Sequence, residues 1–285
     1  IVAPFEVLGG GPHRPAEAHA ATPPPAITPR ADEPQSLATV ARANAHPFQT
    51  VAGFGGAVPI LLYHVIHAAP PGVPNPGLYV PVHELKHQLD WLDRHGFEAV
   101  TLDQVFKAWN DGAPIAAKPI VISFDDGYAT QYRRAAPLLA AHGWPGVLNL
   151  KVDAVLQHEL TEDMVTEMIA AGWEVDAHTI THPDVTTLDA AGLRQEIGGS
   201  REYLQQHFGV PVNFFCYPSG AYNDAAVAAV QAAGYLGATT TEEGLADQRE
   251  PFTLSRVRIE PGDGEAGLQQ KLLAAGAAAE RRARR

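Results

Sequence analysis

The chain has 285 residues, of which 46% are apolar, so it is long enough to form one large folded core. Its formal net charge of −12 argues against a nucleic-acid or anionic-membrane partner, because both require a basic face. No apolar run reaches the roughly 20 residues that span a bilayer, and no signal peptide is visible. The single cysteine, Cys216, excludes an intrachain disulfide and a metal site built from cysteine pairs.

The two ends of the chain differ in composition from its middle. Residues 1–43 contain a Pro- and Ala-rich stretch with few large apolar side chains, which is typical of an extended linker. Residues 274–285 form an Ala- and Arg-rich tail, AAGAAAERRARR. We therefore interpret residues 44–273 as one folded domain between a linker and a tail.

Within that domain, short apolar runs alternate with amphipathic stretches of helical spacing. The predicted strands cover residues 58–63, 97–102, 119–124, 147–152 and 173–176. The predicted helices cover residues 83–96, 135–142, 161–171 and 188–208, and a segment from Asn223 to near Gly234. Repeated strand–helix units form parallel sheets, and about seven strands favour a distorted, TIM-like (β/α) barrel with its chemistry at the carboxyl ends of the strands.

Two adjacent aspartates, Asp125 and Asp126, follow the apolar run 119–124 and precede Gly127. Neighbouring carboxylates repel each other, so this arrangement is costly unless a cation or a proton compensates one of them. A metal ion on one carboxylate would leave the other free as a base. The alternative is a turn with solvated aspartates, one of which caps the following helix.

Two histidines, His178 and His182, lie four residues apart shortly after the predicted strand 173–176. Pro183 disfavours a helical conformation at His182, so this segment differs from the helical HExxH motif of metalloproteases, whose Glu is also missing. On a loop, the same spacing can still bring both imidazoles to one ion, and Asp plus two His is a common three-ligand set. The alternative is a pair of polar loop histidines.

Together these segments resemble the motifs of the NodB-type polysaccharide deacetylases, carbohydrate esterase family 4. Residues 123–127 (SFDDG) are similar to the first motif of that family, T/S-F-D-D-G, and residues 178–183 (HTITHP) to the second, H-[ST]-x-x-H-P. Residues 215–220 (FCYPSG) resemble the third, R-x-P-[YFS]-G. Residues 60–64 (ILLYH) resemble the first strand of the exopolysaccharide poly-N-acetylglucosamine deacetylase branch. The resemblance covers roughly residues 58–260 and implies a NodB-type barrel.

The resemblance also implies roles for these residues. Asp126, His178 and His182 would bind one divalent metal ion, for which Zn²⁺ is the first expectation, although Co²⁺, Ni²⁺ or Fe²⁺ fit the same ligands. Asp125 would be the general base that takes a proton from the attacking water. The oxyanion that forms would be held by the metal and by a backbone N–H of the third motif, at Ser219.

The sequence departs from the family pattern at two places. Cys216 stands where many members have an Arg that holds the base, and we interpret it as a small buried apolar residue. Many members take the leaving-group proton from a late His, but no His follows His207, and the segment 253–259 has arginines instead. We expect Arg258 in that segment and Tyr217 in the third motif to bind substrate.

The general acid must therefore come from elsewhere, because an Arg cannot donate a proton near neutral pH. Our hypothesis is His64, which ends the first predicted strand at the same face of the barrel. The alternative is a structural histidine whose hydrogen bonds are satisfied. The missing Arg and late His both match the exopolysaccharide branch.

The leading functional interpretation is a hydrolase that removes N-acetyl groups from N-acetylhexosamine units of an exopolysaccharide, peptidoglycan or chitin-like polymer. An esterase acting on acetylated xylan is the runner-up, because ester hydrolysis needs less help with the leaving group. A carbohydrate-binding protein without turnover is a third possibility. Phosphoester hydrolysis is disfavoured, since the motifs offer neither a second metal nor a basic clamp for phosphate.

The expected partner is a polysaccharide or oligosaccharide substrate, with no nucleic acid and no transmembrane segment. Secretion or a cell-envelope location is expected from the polymer substrate, the predicted linker and a first residue other than Met.

Overall fold

The computed structural model describes residues 35–283. Most of the predicted linker and the end of the predicted tail therefore lie outside the described residues. None of the helices within residues 35–283 is long and apolar enough to cross a bilayer.

The described strands are β1 (Thr50–Val51), β2 (Ile60–Tyr63), β3 (Val65–Ile66), β4 (Tyr79–Val80), β5 (Glu98–Ala99), β6 (Ile115–Ala116), β7 (Pro119–Asp126), β8 (Val147–Leu150), β9 (Glu174–Ala177), β10 (Phe214–Cys216), β11 (Gly237–Glu243) and β12 (Leu254–Arg258). The described α-helices are α1 (Leu37–Asn44), α2 (Val82–Arg94), α3 (Leu102–Asp111), α4 (Ala136–Ala141), α5 (Val152–Leu156), α6 (Glu162–Ala170), α7 (Ala190–Leu193), α8 (Gly199–Phe208), α9 (Asp224–Ala232) and α10 (Gly264–Ala283).

A closed barrel of parallel strands forms the centre of these elements, in the order β2-β12-β11-β10-β9-β8-β7, with β7 pairing back to β2. Strand β5 adds to β7 outside this ring. The predicted distorted (β/α) barrel of about seven parallel strands is therefore confirmed. Every residue of β2 and β7 is buried, as expected where a strand has the barrel interior on one side and helices on the other.

The register of the strands brings their carboxyl ends to one rim. Tyr63 pairs with Phe124, and Asp125 pairs with Asn149, so the ends of β2, β7 and β8 are level. Side chains that directly follow these strands consequently meet at the same end of the barrel.

Two predicted elements differ from the observed ones. The strand predicted over 97–102 is only β5, because Thr101 begins α3 with a capping box, in which it exchanges hydrogen bonds with Gln104. The helix predicted over 188–208 is divided into α7 and α8 by a π-helical turn, Arg194–Gly198. The predicted N-cap is confirmed, since the Asn223 side chain accepts a hydrogen bond from the N–H of Ala226.

Helices continue across both predicted ends of the folded domain. Helix α1 begins in the predicted linker and ends just beyond it, at Asn44, and its Ala38 and Ala41 are buried. Helix α10 runs through residue 273 into the predicted tail. The division of the chain at residues 43 and 273 remains a prediction.

At the amino-terminal side of β9, two acidic side chains lie on the same face of the strand. Oδ1 of Asp176 accepts from the N–H of Phe214, and Oε2 of Glu174 accepts from the N–H of Asp103. Their other oxygens, Asp176 Oδ2 and Glu174 Oε1, are buried and have no hydrogen-bond partner among the described residues. Burial and the nearby Glu174 charge raise the pKa of Asp176 well above its ordinary value, and burial also raises the pKa of Glu174. The pair is therefore expected to share one proton.

We predict that Asp176→Asn makes the stability less dependent on pH. A carboxyl whose pKa is raised by folding stabilises the fold below its unfolded pKa and loses this contribution as the pH rises through the raised value. In the wild type, the free energy of unfolding should therefore fall between about pH 5 and about pH 8, because this pair loses its shared proton as the pH rises. Asp176→Asn should reduce that fall by at least about 1 kcal/mol, measured by urea unfolding at both pH values.

Asp111→Asn, at an exposed site at the end of α3, is the matched control and should leave the fall unchanged. An equal fall in the wild type and Asp176→Asn would contradict the shared proton.

Candidate active site

A cavity of about 700 Å³ opens at the carboxyl ends of the barrel strands. Its walls include six residues that the sequence motifs singled out, namely His64, Asp125, Asp126, His178, His182 and Arg258. Ser219, from the third motif, also lines it. The rim predicted from the parallel strands thus brings together side chains that are far apart in the chain.

Asp126, His178 and His182 form a compact cluster of potential metal ligands. Oδ1 of Asp126 lies 3.5 Å from Nε2 of His178 and 3.5 Å from Nε2 of His182. A four-coordinate Zn²⁺ with bonds of about 2.1 Å holds neighbouring ligand atoms about 3.4 Å apart. The three residues therefore fit such an ion, and a fourth position would stay open for water or substrate.

Hydrogen bonds set the ligand atoms of this cluster. Nδ1 of His178 lies 2.7 Å from the carbonyl oxygen of Cys216, which can only accept, so Nδ1 carries a proton. Nε2 faces Asp126 and would bind an ion once it has given up its own proton. Burial alone would raise the pKa of Asp126, but the hydrogen bond and charge of His178 lower it to about 2. Asp126 is consequently ionised over the physiological pH range, as a metal ligand would need to be.

Asp125 is held by a buried arginine that comes from β12. The Arg256 side chain, which is 1% exposed, donates two parallel hydrogen bonds of 2.8 Å to Oδ1 and Oδ2 of Asp125. Nδ2 of Asn149 donates a third, of 2.7 Å, to Oδ1. Burial alone would raise the pKa of Asp125, but Arg256 holds it well below its ordinary value.

The ion pair between Arg256 and Asp125 takes the place of the Arg that many family members have in the third motif. The Cys216 thiol lies beside the ion pair, with its sulfur 3.3 Å from a guanidinium nitrogen of Arg256 and 3.5 Å from Oδ2 of Asp125. The sequence identified Cys216 as small and buried, as observed, but left the holder of Asp125 open. The sequence did offer a signal for this partner: Arg256 is a charged residue in the middle of the buried strand 254–258, and a buried cation requires a carboxylate partner.

His64 lies beside Asp125, with its Nε2 4.0 Å from Oδ2 of that carboxylate. Burial lowers the pKa of His64, and this effect outweighs the opposing charges of Asp125 and Asp126. The backbones of the two residues are tied together by Gln131, whose Nε2 donates to the carbonyl of His64 at 3.0 Å and to that of Asp125 at 2.6 Å. The structure therefore brings the predicted acid and base into one place.

Backbone strain is concentrated at the same rim. Asp126, His182 and Ser219 have left-handed backbones, with φ values of 77°, 62° and 55°. Such conformations cost non-glycine residues about 1–3 kcal/mol each and persist only where the surroundings hold them. Gly127, at φ 90°, has no room for a side chain, since a Cβ would lie 2.5 Å from Leu150 Cδ1.

The structure does not bring Tyr217 to the cavity, so the predicted sugar contact of its side chain is wrong in this structure. Tyr217 is fully buried, and its ring packs against Phe215 and Tyr222. The N–H of Tyr217 continues the β10 ladder, and side chains alternate along a strand. Because Cys216 points into the barrel, Tyr217 points into the apolar layer outside it.

The cavity is also lined by residues that the sequence motifs did not identify as functional, among them Tyr128 and Lys151. Lys151 directly follows β8, at the strand-end position where chemistry was expected. Its Nζ lies 3.6 Å from Glu159.

We predict that Arg256→Met destabilises the fold by about 3–5 kcal/mol, because it leaves the Asp125 carboxylate buried without its cation. In an Asp125→Asn background the same change should cost clearly less, since no charge is then stranded. Arg94→Met, which removes the exposed ion pair with Glu265, should cost about 1 kcal/mol or less.

Urea unfolding of the four variants measures these differences. Equal losses from Arg256→Met in the two backgrounds would show that the ion pair is not what Arg256 contributes.

Residues 113–238 match the family model described as Polysaccharide deacetylase, a range that includes Asp125, Asp126, His178 and His182. The Bacillus subtilis (strain 168) protein YxkH, whose name describes a polysaccharide deacetylase, is 29% identical over 207 residues, which cover 72% of this chain and 72% of that protein. The poly-beta-1,6-N-acetyl-D-glucosamine N-deacetylase of Escherichia coli (strain K12) is 26% identical over 219 residues, covering 61% of this chain. The matched part is only 33% of the E. coli protein.

The fold is also similar to a solved structure. The Streptococcus pyogenes deacetylase PplD, in complex with acetate, superposes with a TM-score of 0.72 and 28% identity, covering 77% of this chain and 99% of that one. These matches confirm the resemblance drawn from the motifs: residues 113–238 match the polysaccharide deacetylase family model, and the similarity to proteins named as deacetylases supports a hydrolytic deacetylase.

Proposed function

We propose that the chain removes N-acetyl groups from N-acetylhexosamine units of a polysaccharide, with one divalent metal ion held by Asp126, His178 and His182. The observation that carries the proposal is the ligand cluster itself, with two imidazole nitrogens each 3.5 Å from one carboxylate oxygen. Zn²⁺ is the expected ion, because two imidazoles and a carboxylate with an open position are typical of catalytic zinc sites.

Such an ion would polarise the acetyl carbonyl and make a bound water more acidic. The role of Asp125 is to accept the proton that this water gives up as its oxygen adds to the carbonyl carbon. Its Oδ2 is the suited atom, because it faces His64, whereas Oδ1 already accepts from both Arg256 and Asn149. The pKa of Asp125 lies well below its ordinary value, so the carboxylate is ionised and ready to accept at any physiological pH.

His64 is the proposed general acid. Since burial lowers its pKa, the imidazole starts neutral and must first take up a proton. The 4.0 Å separation between its Nε2 and Oδ2 of Asp125 favours uptake of the proton that Asp125 has collected. His64 then protonates the nitrogen as the C–N bond breaks, which releases acetate and a free amine. The developing oxyanion would be held by the N–H of Ser219, at the cavity wall, and Arg258 would bind a substrate hydroxyl.

Three facts support an N-acetylglucosamine polymer as the substrate, and a polymer of this kind would place the protein outside the cell or in its envelope. A cavity of about 700 Å³ is within the size range of small-ligand sites and suits a sugar unit. The E. coli relative is named for a poly-N-acetylglucosamine substrate. The Staphylococcus epidermidis relative, 23% identical over 195 residues, carries the same name.

We predict acetate release from N-acetylglucosamine oligomers in the presence of added Zn²⁺ or Co²⁺. Asp125→Asn should reduce the rate by about 100-fold or more, because the water loses its base. The variant should still bind one metal ion, since its three ligands are unchanged, and metal analysis checks this. Chelation should abolish the activity of the wild type.

Acetate release from acetylated xylan alone would replace the amidase with an O-acetyl esterase. One observation favours that alternative. Burial lowers the pKa of His64, so the proposed acid starts neutral, and an alkoxide leaving group depends less on a general acid than an amine does. Release from neither substrate would favour a carbohydrate-binding protein.

We predict that His64→Ala lowers kcat for the N-acetyl substrate by about 100-fold or more, because the amine then leaves without its proton. Cleavage of 4-nitrophenyl acetate should be affected far less, since the phenolate leaves unprotonated. His67→Ala, an exposed histidine on the adjoining loop, is the control. Undiminished acetate release by His64→Ala would rule out His64 as the acid.

A further inference from the structure

Among residues 35–283 the helices contain two π-helical turns, Gln131–Ala135 and Arg194–Gly198. Each contains a backbone hydrogen bond that spans five residues, and each carries one buried polar side chain that reaches the active-site rim. In the first turn this side chain is Gln131, which ties His64 to Asp125. In the second turn it is Glu196, which is 8% exposed. Single π turns within helices are frequently associated with functional sites.

Glu196 binds the loop between the two candidate metal-binding histidines. Its Oε2 accepts from the backbone N–H of Ile180 at 2.9 Å and from that of Thr181 at 3.0 Å. Its Oε1 accepts from the Thr181 hydroxyl at 2.9 Å. One carboxylate thereby satisfies two consecutive backbone donors that lie between His178 and His182.

The loop depends on such outside partners because its backbone is irregular. Thr179 and His182 both have left-handed backbones, with φ values of 66° and 62°. The carbonyls of Thr179 and Ile180 accept from the first N–H groups of α5, at 3.1 and 3.0 Å. The Thr179 hydroxyl accepts from the N–H of His182 at 2.9 Å. Glu196 completes this arrangement by accepting from the N–H groups of the two middle residues.

Glu196 lies on the buried side of its helical segment. Leu193, Ile197 and Leu204 form the buried apolar side of this helical segment. Glu196 follows Leu193 by three residues and directly precedes Ile197, so it faces inward beside them. The segment also approaches the loop closely, since a Cβ on Gly199 would lie 3.3 Å from Cδ1 of Ile180.

We propose that Glu196 is a positioning residue for the metal site. By fixing the backbone between His178 and His182, it holds both imidazole nitrogens at their 3.5 Å separation from Asp126 before an ion binds. A preorganised ligand set binds its ion more tightly, because less conformational freedom is lost on binding. This inference rests on the metal site of the proposed function, but its test does not depend on turnover.

The test measures metal affinity of the full chain by competition between the protein and a chromogenic chelator for Zn²⁺, and records the visible absorption of bound Co²⁺. Glu196→Ala should raise the Kd for Zn²⁺ by about 10- to 100-fold and alter the Co²⁺ spectrum. Glu196→Gln should stay within about threefold of the wild type, because its amide oxygen can still accept from both backbone N–H groups. Rescue by this variant separates positioning from a requirement for charge.

Glu202→Ala is the matched control, since Glu202 is an exposed acid on α8 that accepts a hydrogen bond from Gln206 on the same helix. It should leave the Kd and the Co²⁺ spectrum unchanged. Thermal unfolding of each metal-free variant shows whether it is folded. If Glu196→Ala is unfolded, Glu196→Asp decides, because it keeps the charge but shortens the reach and should weaken Zn²⁺ binding by about tenfold.

A folded Glu196→Ala, or failing that a folded Glu196→Asp, with wild-type affinity and a wild-type Co²⁺ spectrum would overturn the inference. Loss of Zn²⁺ binding without acetate release by the wild type would uphold the positioning role and reject the proposed activity. Acetate release by the wild type, together with unchanged Zn²⁺ affinity in the Glu196 variants, would uphold the proposed activity and reject the positioning role.

Discussion

Two adjacent carboxylates at a buried rim impose the main constraint on this molecule, because each of them needs positive charge of its own. Asp125 takes it from Arg256 through two hydrogen bonds of 2.8 Å. Asp126 faces His178 and His182 instead, in a cluster whose dimensions suit a divalent ion. Leaving either carboxylate ionised and unpartnered would cost several kcal/mol, so the surroundings of both are closely specified. Under the proposed function, this difference in partners would give the two acids different chemistry, with Asp125 as the base and Asp126 as a metal ligand.

The barrel meets this constraint with side chains from different strands. The family pattern implies an Arg in the third motif, at the position of Cys216, but here the guanidinium comes from β12, two strands away around the ring. The thiol of Cys216 fills the space beside it. Because side chains from strands two apart in the ring can reach the same point inside a small barrel, the charge can be supplied from either strand without changing the contact that it makes.

The sequence by itself determined the fold class and the positions of the central polar residues, because both follow from local patterns. Continuous apolar runs predict buried parallel strands, and the residues that directly follow such runs reach one rim of a parallel barrel. Asp125 and Asp126 follow β7 in this way, and His178 follows β9. His64 was found by the same rule at the end of β2. Helix and strand ends were less certain, as the short β5 and the divided helix over 188–208 illustrate.

Only the tertiary structure decided which groups hold these residues in place. Arg256 lies 131 residues from Asp125, and no short-range periodicity specifies a contact over that distance. The direction of Tyr217 depends on the phase of side-chain alternation, which the position of Cys216 inside the barrel sets. The contact of Glu196 with the loop between His178 and His182 depends on how that loop and the helix are arranged in space, which the apolar spacing of the helix does not reveal. Sequence patterns record which side of an element is buried, whereas the partner across the interior is chosen by how the elements are arranged in space.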